Sequence, residues 1–140
     1  MKLKSLLFVF ILLSCSMAQA QSELEMLREK VAKQYLATNV NENQVSQLLK
    51  TIKSDGTWPG INYIDTSRVA FQHRFHLYNI VSMSLAYEKK SSSYYKNNQV
   101  KQAIDASLNY WLKNDFQCEN WWLNQIGVPT QMVIILYVLD

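Results

Sequence analysis

The sequence predicts an all-α fold built of helix–loop–helix pairs. Three observations carry that reading. Apolar residues recur at helical spacing in five segments. The strongest turn pairs, Asp55-Gly56 and Pro59-Gly60, fall together in one loop. No stretch shows sustained strand alternation bounded by turns. With 140 residues the chain is long enough for one domain.

The first twenty residues are set apart from that domain. "MKLKSLLFVFILLSCSMAQA" runs from two lysines through an apolar stretch, Leu6 to Leu13, to Ala18-Gln19-Ala20, the order of a secretory signal peptide. The apolar stretch is shorter than the ~20 residues a membrane-spanning helix needs. The expected mature chain is residues 21–140, exported to the periplasm or outside the cell, with no transmembrane segment. A competing reading attaches a lipid at Cys15, but Leu13 fits a lipoprotein box poorly. Residues 1–20 carry Lys2 and Lys4 and no acid, so their removal lowers the formal net charge from +3 to +1. No basic stripe of the kind a nucleic-acid binder needs is left. Cys118 is then the one remaining cysteine, which excludes an internal disulfide framework and reads as an inert thiol. Two histidines and no cysteine–histidine spacing leave a metal site without support, and no cofactor is indicated.

Five helices are expected in turn. Ser22-Glu23-Leu24-Glu25 has the S-x-x-E form of a capping box and opens a first helix carrying Leu24, Leu27, Val31 and Leu36. Beyond Asn39–Asn43, the residues Val45, Leu48, Leu49 and Ile52 mark a second. "SDGTWPGINYID" breaks it with a loop that carries Trp58 and Tyr63. Thr66 is the expected cap of a third helix reaching about Lys90. Its stripe is Val69, His73, Leu77, Ile80, Ser84 and Leu85, with Phe71, Phe75 and Tyr78 alongside. That breadth predicts packing on more than one side. A fourth helix spans about Gln99 to Lys113, with Val100, Ala103, Ile104, Ser107, Leu108 and Trp111 inward. Pro129 sits at the first turn of a last helix, where its missing N–H costs nothing. That helix reads Met132, Val133, Ile135, Leu136 and Leu139. Its apolar character up to Asp140 predicts a truncated chain, or one with more protein to follow that would cover it.

Few residues offer reactive chemistry. His73 and His76 lie three apart on the third helix without an evident acid partner, and are read as satisfied core or boundary histidines. Arg74 beside them is read as a surface salt-bridge residue, an acidic ligand being the other reading. Asp55, Asp65, Asp105, Asp115 and Glu119 form no facing pair for glycoside hydrolysis. Serine-nucleophile and phosphate-loop motifs are absent.

The tryptophans are more informative. Trp111 belongs to a core stripe, and Trp58 sits in a turn-rich loop. Trp121 and Trp122 are adjacent, and successive helical residues point about 100° apart. A core face buries one such indole readily and rarely both. The pair lies between Asn120 and Asn124, whose amides are neutral hydrogen bonders. Packing and the stacking of a sugar ring both remain open on these grounds.

Three stretches carry a family resemblance: "DGTW" with Tyr63 after it, "HRFHLYNIVSMSLAYEKKSSSYY", and "NWWLNQIGVPTQM". From about Leu48 onward they resemble the N-terminal α-domain of polysaccharide lyase family 8, which includes chondroitin AC, hyaluronate and xanthan lyases. The N-W-W block is the most specific. The resemblance implies helical hairpins forming part of an incomplete α/α toroid, with further helices and β-sandwich domains after it. It implies β-elimination on an acidic, uronic-acid-containing polysaccharide. An asparagine neutralises the uronate carboxylate, and a histidine and a tyrosine move the protons. It also implies that Asn120, Trp121, Trp122 and Asn124 contact substrate as part of an aromatic wall.

Two departures qualify the match. Gln125 stands where the family has Glu. The family's catalytic asparagine, histidine, tyrosine and arginine come after the N-W-W block, so no catalytic residue is expected within this chain, which should be inactive alone. The expectation is an N-terminal segment of an exported polysaccharide lyase that supplies the substrate-binding wall. The alternative is a non-catalytic helical module for glycan or protein binding.

Overall fold

The computed structural model describes residues 23–69 and 71–140. The expected signal peptide and Ser22 of the expected capping box lie outside the described residues. Within them the chain is helical, with no strand. Helix α1 covers residues 23–36. It is followed by α2 (Glu42–Thr51), α3 (His73–Glu88), α4 (Asn98–Asn114) and α5 (Val128–Leu139). A π turn, Leu123–Gly127, leads without a break into α5.

Helix α3 is the centre of the molecule, packed by α5, α4 and α2. Burial on several sides is what its broad apolar surface requires, and Leu77, Ile80, Met83 and Ala86 are all inaccessible to solvent. Around them lie Val45 of α2, Val100 and Ile104 of α4, and Ile135 of α5. Each large apolar side chain so enclosed contributes roughly 1.5–3 kcal/mol.

Helix α4 follows its sequence signals closely. Asn97 Oδ1 accepts from the backbone N–H groups of Gln99 (2.9 Å) and Val100 (3.2 Å), an N-cap. Asp115, left-handed at φ 44°, ends the helix. The buried face is Val100, Ala103, Ile104, Ser107 and Trp111, with Leu108 partly covered.

Helix α3 begins at His73, not at Thr66. The reason is where the intervening backbone groups go. Thr66 C=O accepts from Glu119 N–H at 2.9 Å, and Arg68 C=O accepts from Asn120 Nδ2 at 3.2 Å. Asp65 Oδ1 accepts from Ser67 N–H at 2.9 Å, closing a turn in place of a helix start. Val69, expected inward, is 85% exposed as a result.

The outer helices also differ from their expected faces. On α1, Leu24 and Leu27 are exposed. Val31 and Tyr35 share a groove with Ile126, Pro129 and Val133, and Arg28 pairs with Glu25 and Asp140. On α5, Ile134, Ile135 and Val138 are buried while Val133 and Leu136 are exposed. A helix apolar on every side carries no periodicity by which to choose its inner face.

Candidate functional site

The D-G-T-W loop is fixed against α2 and α4. Asp55 Oδ1 accepts from Thr57 N–H (3.0 Å) and Thr57 Oγ1 (2.7 Å), and these bonds hold its carboxyl below the usual range. Gly56 has φ 87°, and a Cβ there would lie 2.4 Å from the Ala106 carbonyl oxygen of α4. The loop therefore rests backbone on backbone. Trp58, buried, donates its indole N–H to Leu48 C=O at 3.1 Å, tying the loop to the end of α2.

Tyr63 joins this loop to the two histidines of α3. Its Oη accepts from Trp58 N–H at 3.2 Å and lies 2.9 Å from His76 Nδ1. His76 Nε2 is 2.9 Å from Ser107 C=O. A carbonyl only accepts, so Nε2 carries the proton and Nδ1 receives the Tyr63 hydroxyl proton. By the same logic His73 Nε2, 2.7 Å from Tyr63 C=O, is a donor. Burial pushes His76 down to about 4 and Tyr63 up to about 12. Burial likewise lowers His73. Both imidazoles are neutral, enclosed and packed among the rings of Trp58, Tyr63, Trp111 and Phe116. They are core histidines, as expected, although His73 Nδ1 is buried without a hydrogen-bond partner, and neither is placed for proton transfer to a ligand.

The N-W-W block sits where the 115–120 loop enters the last helical rod. Asn120 Oδ1 accepts from Trp122 N–H at 3.1 Å, capping that rod, and its Nδ2 reaches Arg68 C=O. Asn124 closes the loop behind it. Its Nδ2 donates to Cys118 C=O (2.8 Å), and its Oδ1 accepts from Cys118 N–H (3.1 Å) and Sγ (3.4 Å). The free thiol of Cys118 is thus a structural contact. With both amides fixing backbone, the indoles are left outward: Trp121 is 59% and Trp122 48% exposed. Gln125 is exposed on the side facing α1. Trp122 also lines a pocket of about 160 Å³ between α3 and the π turn, together with Arg74, Leu77, Tyr78, Thr130 and Gln131. Trp58 and Trp111, by contrast, are core.

The structure thus brings Asn120, Trp121, Trp122 and Asn124 into one capped turn. Sequence reasoning missed the bridging role of Tyr63, whose only trace was its place shortly after D-G-T-W. It also missed Gly127, the last residue of the π turn. Arg74, expected in a surface salt bridge, forms no ion pair among the described residues. No group of residues able to hold a metal ion is found among them either.

Fold and site together define an all-α domain, its hairpins forming part of an incomplete α/α toroid, with an outward indole pair at a capped helix start. The profile of the polysaccharide lyase family 8 N-terminal alpha-helical domain matches residues 15–140, and the chain belongs to that family. It is 27% identical over 123 residues to chondroitinase-AC of Pedobacter heparinus, covering 87% of this chain and 18% of that protein. It is also similar to a solved structure of chondroitinase AC lyase described with its oligosaccharide complexes. The TM-score is 0.74 and the identity 26%, over 81% of this chain and 17% of that one. The chain thus spans less than a fifth of the length of these relatives. Among the described residues no helix is long and apolar enough to cross a membrane.

Proposed function

We propose that this chain supplies the aromatic substrate-binding wall of an exported polysaccharide lyase that acts by β-elimination on uronic-acid-containing polysaccharide. One observation carries the reading: both indoles of Trp121-Trp122 are outward although the chain spends two asparagine side chains fixing the turn that holds them. Leaving both rings about half exposed forgoes roughly 1.5–3 kcal/mol in all, what burying one large side chain contributes, and a ligand that covers them would recover it. An indole offers a flat apolar face to the C–H side of a sugar and an N–H at its edge. In this reading Asn120 and Asn124 belong to the site as well, holding the indoles at the angle at which a sugar chain meets them. The histidine of the elimination lies outside this chain, because both of its own histidines are enclosed in the core. Export rests on the signal-peptide pattern of residues 1–20.

The test is to titrate the chain with hyaluronan or chondroitin oligosaccharides while following indole fluorescence. Saturable quenching or a spectral shift is expected, and Trp122→Ala should remove most of it. An identical response in that variant would remove the indole pair from the site.

A further inference from the structure

Arg74 differs from the cations that are ion-paired in the structure. Arg28, Lys96 and Lys101 each meet a carboxylate, whereas Arg74 meets none among the described residues. Its Nε is shielded from solvent and has no hydrogen-bond partner. Its guanidinium carbon lies 5.1 Å from the centroid of the Phe75 ring, which supports the cation without occupying its N–H groups. It is also the one charged residue in the wall of the pocket that Trp122 lines.

We propose that Arg74 is the anion-recognising residue of this pocket, taking the carboxylate or sulfate-ester oxygens of a sugar whose ring lies on Trp122. This role presupposes the substrate-binding wall proposed for the tryptophan pair and adds the acidic group that the wall would select. A guanidinium presents its donors as a planar fork that matches two oxygens of one acidic group. The surrounding wall of Leu77, Tyr78, Leu123 and Val128 is largely apolar, which strengthens attraction to an anion relative to open water. At about 160 Å³ the pocket is smaller than the roughly 300–1,000 Å³ that enclose a whole drug-sized ligand. That size suits a substituent, with the sugar ring left outside on the indole. Gln131 in the wall is an uncharged hydrogen bonder for neighbouring hydroxyls, and Thr130 Oγ1, which donates to Ile126 C=O, can accept from one.

The experiment titrates the intact chain, Arg74→Gln, Arg74→Lys and Trp122→Ala with three hexasaccharides. One is hyaluronan, with carboxylates alone; one is its carboxyl-reduced, neutral form; one is carboxyl-reduced chondroitin sulfate, with sulfates alone. A lost charge-assisted hydrogen-bond pair should weaken binding about tenfold. Arg74→Gln is therefore expected to lose about tenfold against at least one charged probe and nothing against the neutral one. The charged probe that responds names the acidic group. Arg74→Lys, which keeps the charge but not the fork, should fall between, with helical circular dichroism unchanged in both variants. Equal affinity of Arg74→Gln and the parent for all three probes, while Trp122→Ala loses them, would overturn the role of Arg74 and leave the aromatic wall standing. Absence of binding by the parent chain itself would overturn both.

Discussion

Gly127 and Trp122 meet through a missing side chain: a Cβ on Gly127 would lie 3.0 Å from Cζ3 of the indole and 3.1 Å from Leu123 Cδ2. Gly127 has ordinary helical angles, φ −62° and ψ −52°, so its value here lies in the space it leaves. The indole folds back over the π turn because nothing occupies that position.

Gly127→Ala should therefore separate stability from binding. Alanine gains up to about 1 kcal/mol of helix propensity, which offsets a crowding cost of similar size. Thermal unfolding is expected to move little. The indole must shift, and the emission spectrum together with oligosaccharide affinity should change. Unaltered emission and affinity would show that the ring's position does not depend on this contact.

His76 makes the fold sensitive to acid. Its pKa is lowered from 6.5 to about 4 in the folded chain, first because burial disfavours the charged ring. The unfolded state therefore binds the extra proton more readily between those two values. Stability is complete above about pH 6.5 and falls as pH drops, by about 3 kcal/mol in all by about pH 4. The carboxyls of Asp55, Asp65 and Glu42, each held low by hydrogen bonds, add their losses as pH falls below the ordinary carboxylate range. Urea unfolding between about pH 7 and about pH 4.5 should show the slope, and His76→Gln should flatten it while lowering stability at neutral pH. An equally steep profile in that variant would assign the acid sensitivity elsewhere.

The D-G-T-W loop has no room for a methyl group. Gly56→Ala combines a left-handed backbone angle with a Cβ 2.4 Å from the Ala106 carbonyl oxygen, where the obstacle is backbone that cannot rotate away. Strain and overpacking together should cost about 2–4 kcal/mol. Denaturant unfolding at neutral pH measures this directly. A loss below about 1 kcal/mol would mean that the loop does not rest on α4 as described.

Local signals and long-range ones differ in how well they can be read. Helix α4 is legible because its cap, its stripe and its stop are all written within its own residues. The core role of His73 follows from its place on the apolar stripe of α3, whereas the angle between neighbouring helical residues accounts for one outward indole and not for both. The start of α3 is not legible: the carbonyls of Thr66 and Arg68 are claimed by Glu119 and Asn120, far along the chain. A capping residue cannot announce that its segment is already committed elsewhere. Tyr63 is hidden for the same reason, since its partners come from the loop and from α3. The double engagement of Asn124 with Cys118 is equally concealed, as amide side chains near tryptophans are compatible with either ligand or backbone contact. The inner face of α5 cannot be picked out because its sequence is apolar all round.

The π turn at Leu123–Gly127, where Val128 N–H reaches back to Leu123 C=O, holds one residue more than an α-helix would place there. One surplus residue rotates everything before it by about 100° against everything after it. A single continuous rod thus has two independent headings. The bearing of Ile135 and Val138 is dictated by the core, while that of the tryptophan pair is set separately at the turn. Substitutions before the turn can therefore change what the front of the rod presents without disturbing how its rear is anchored.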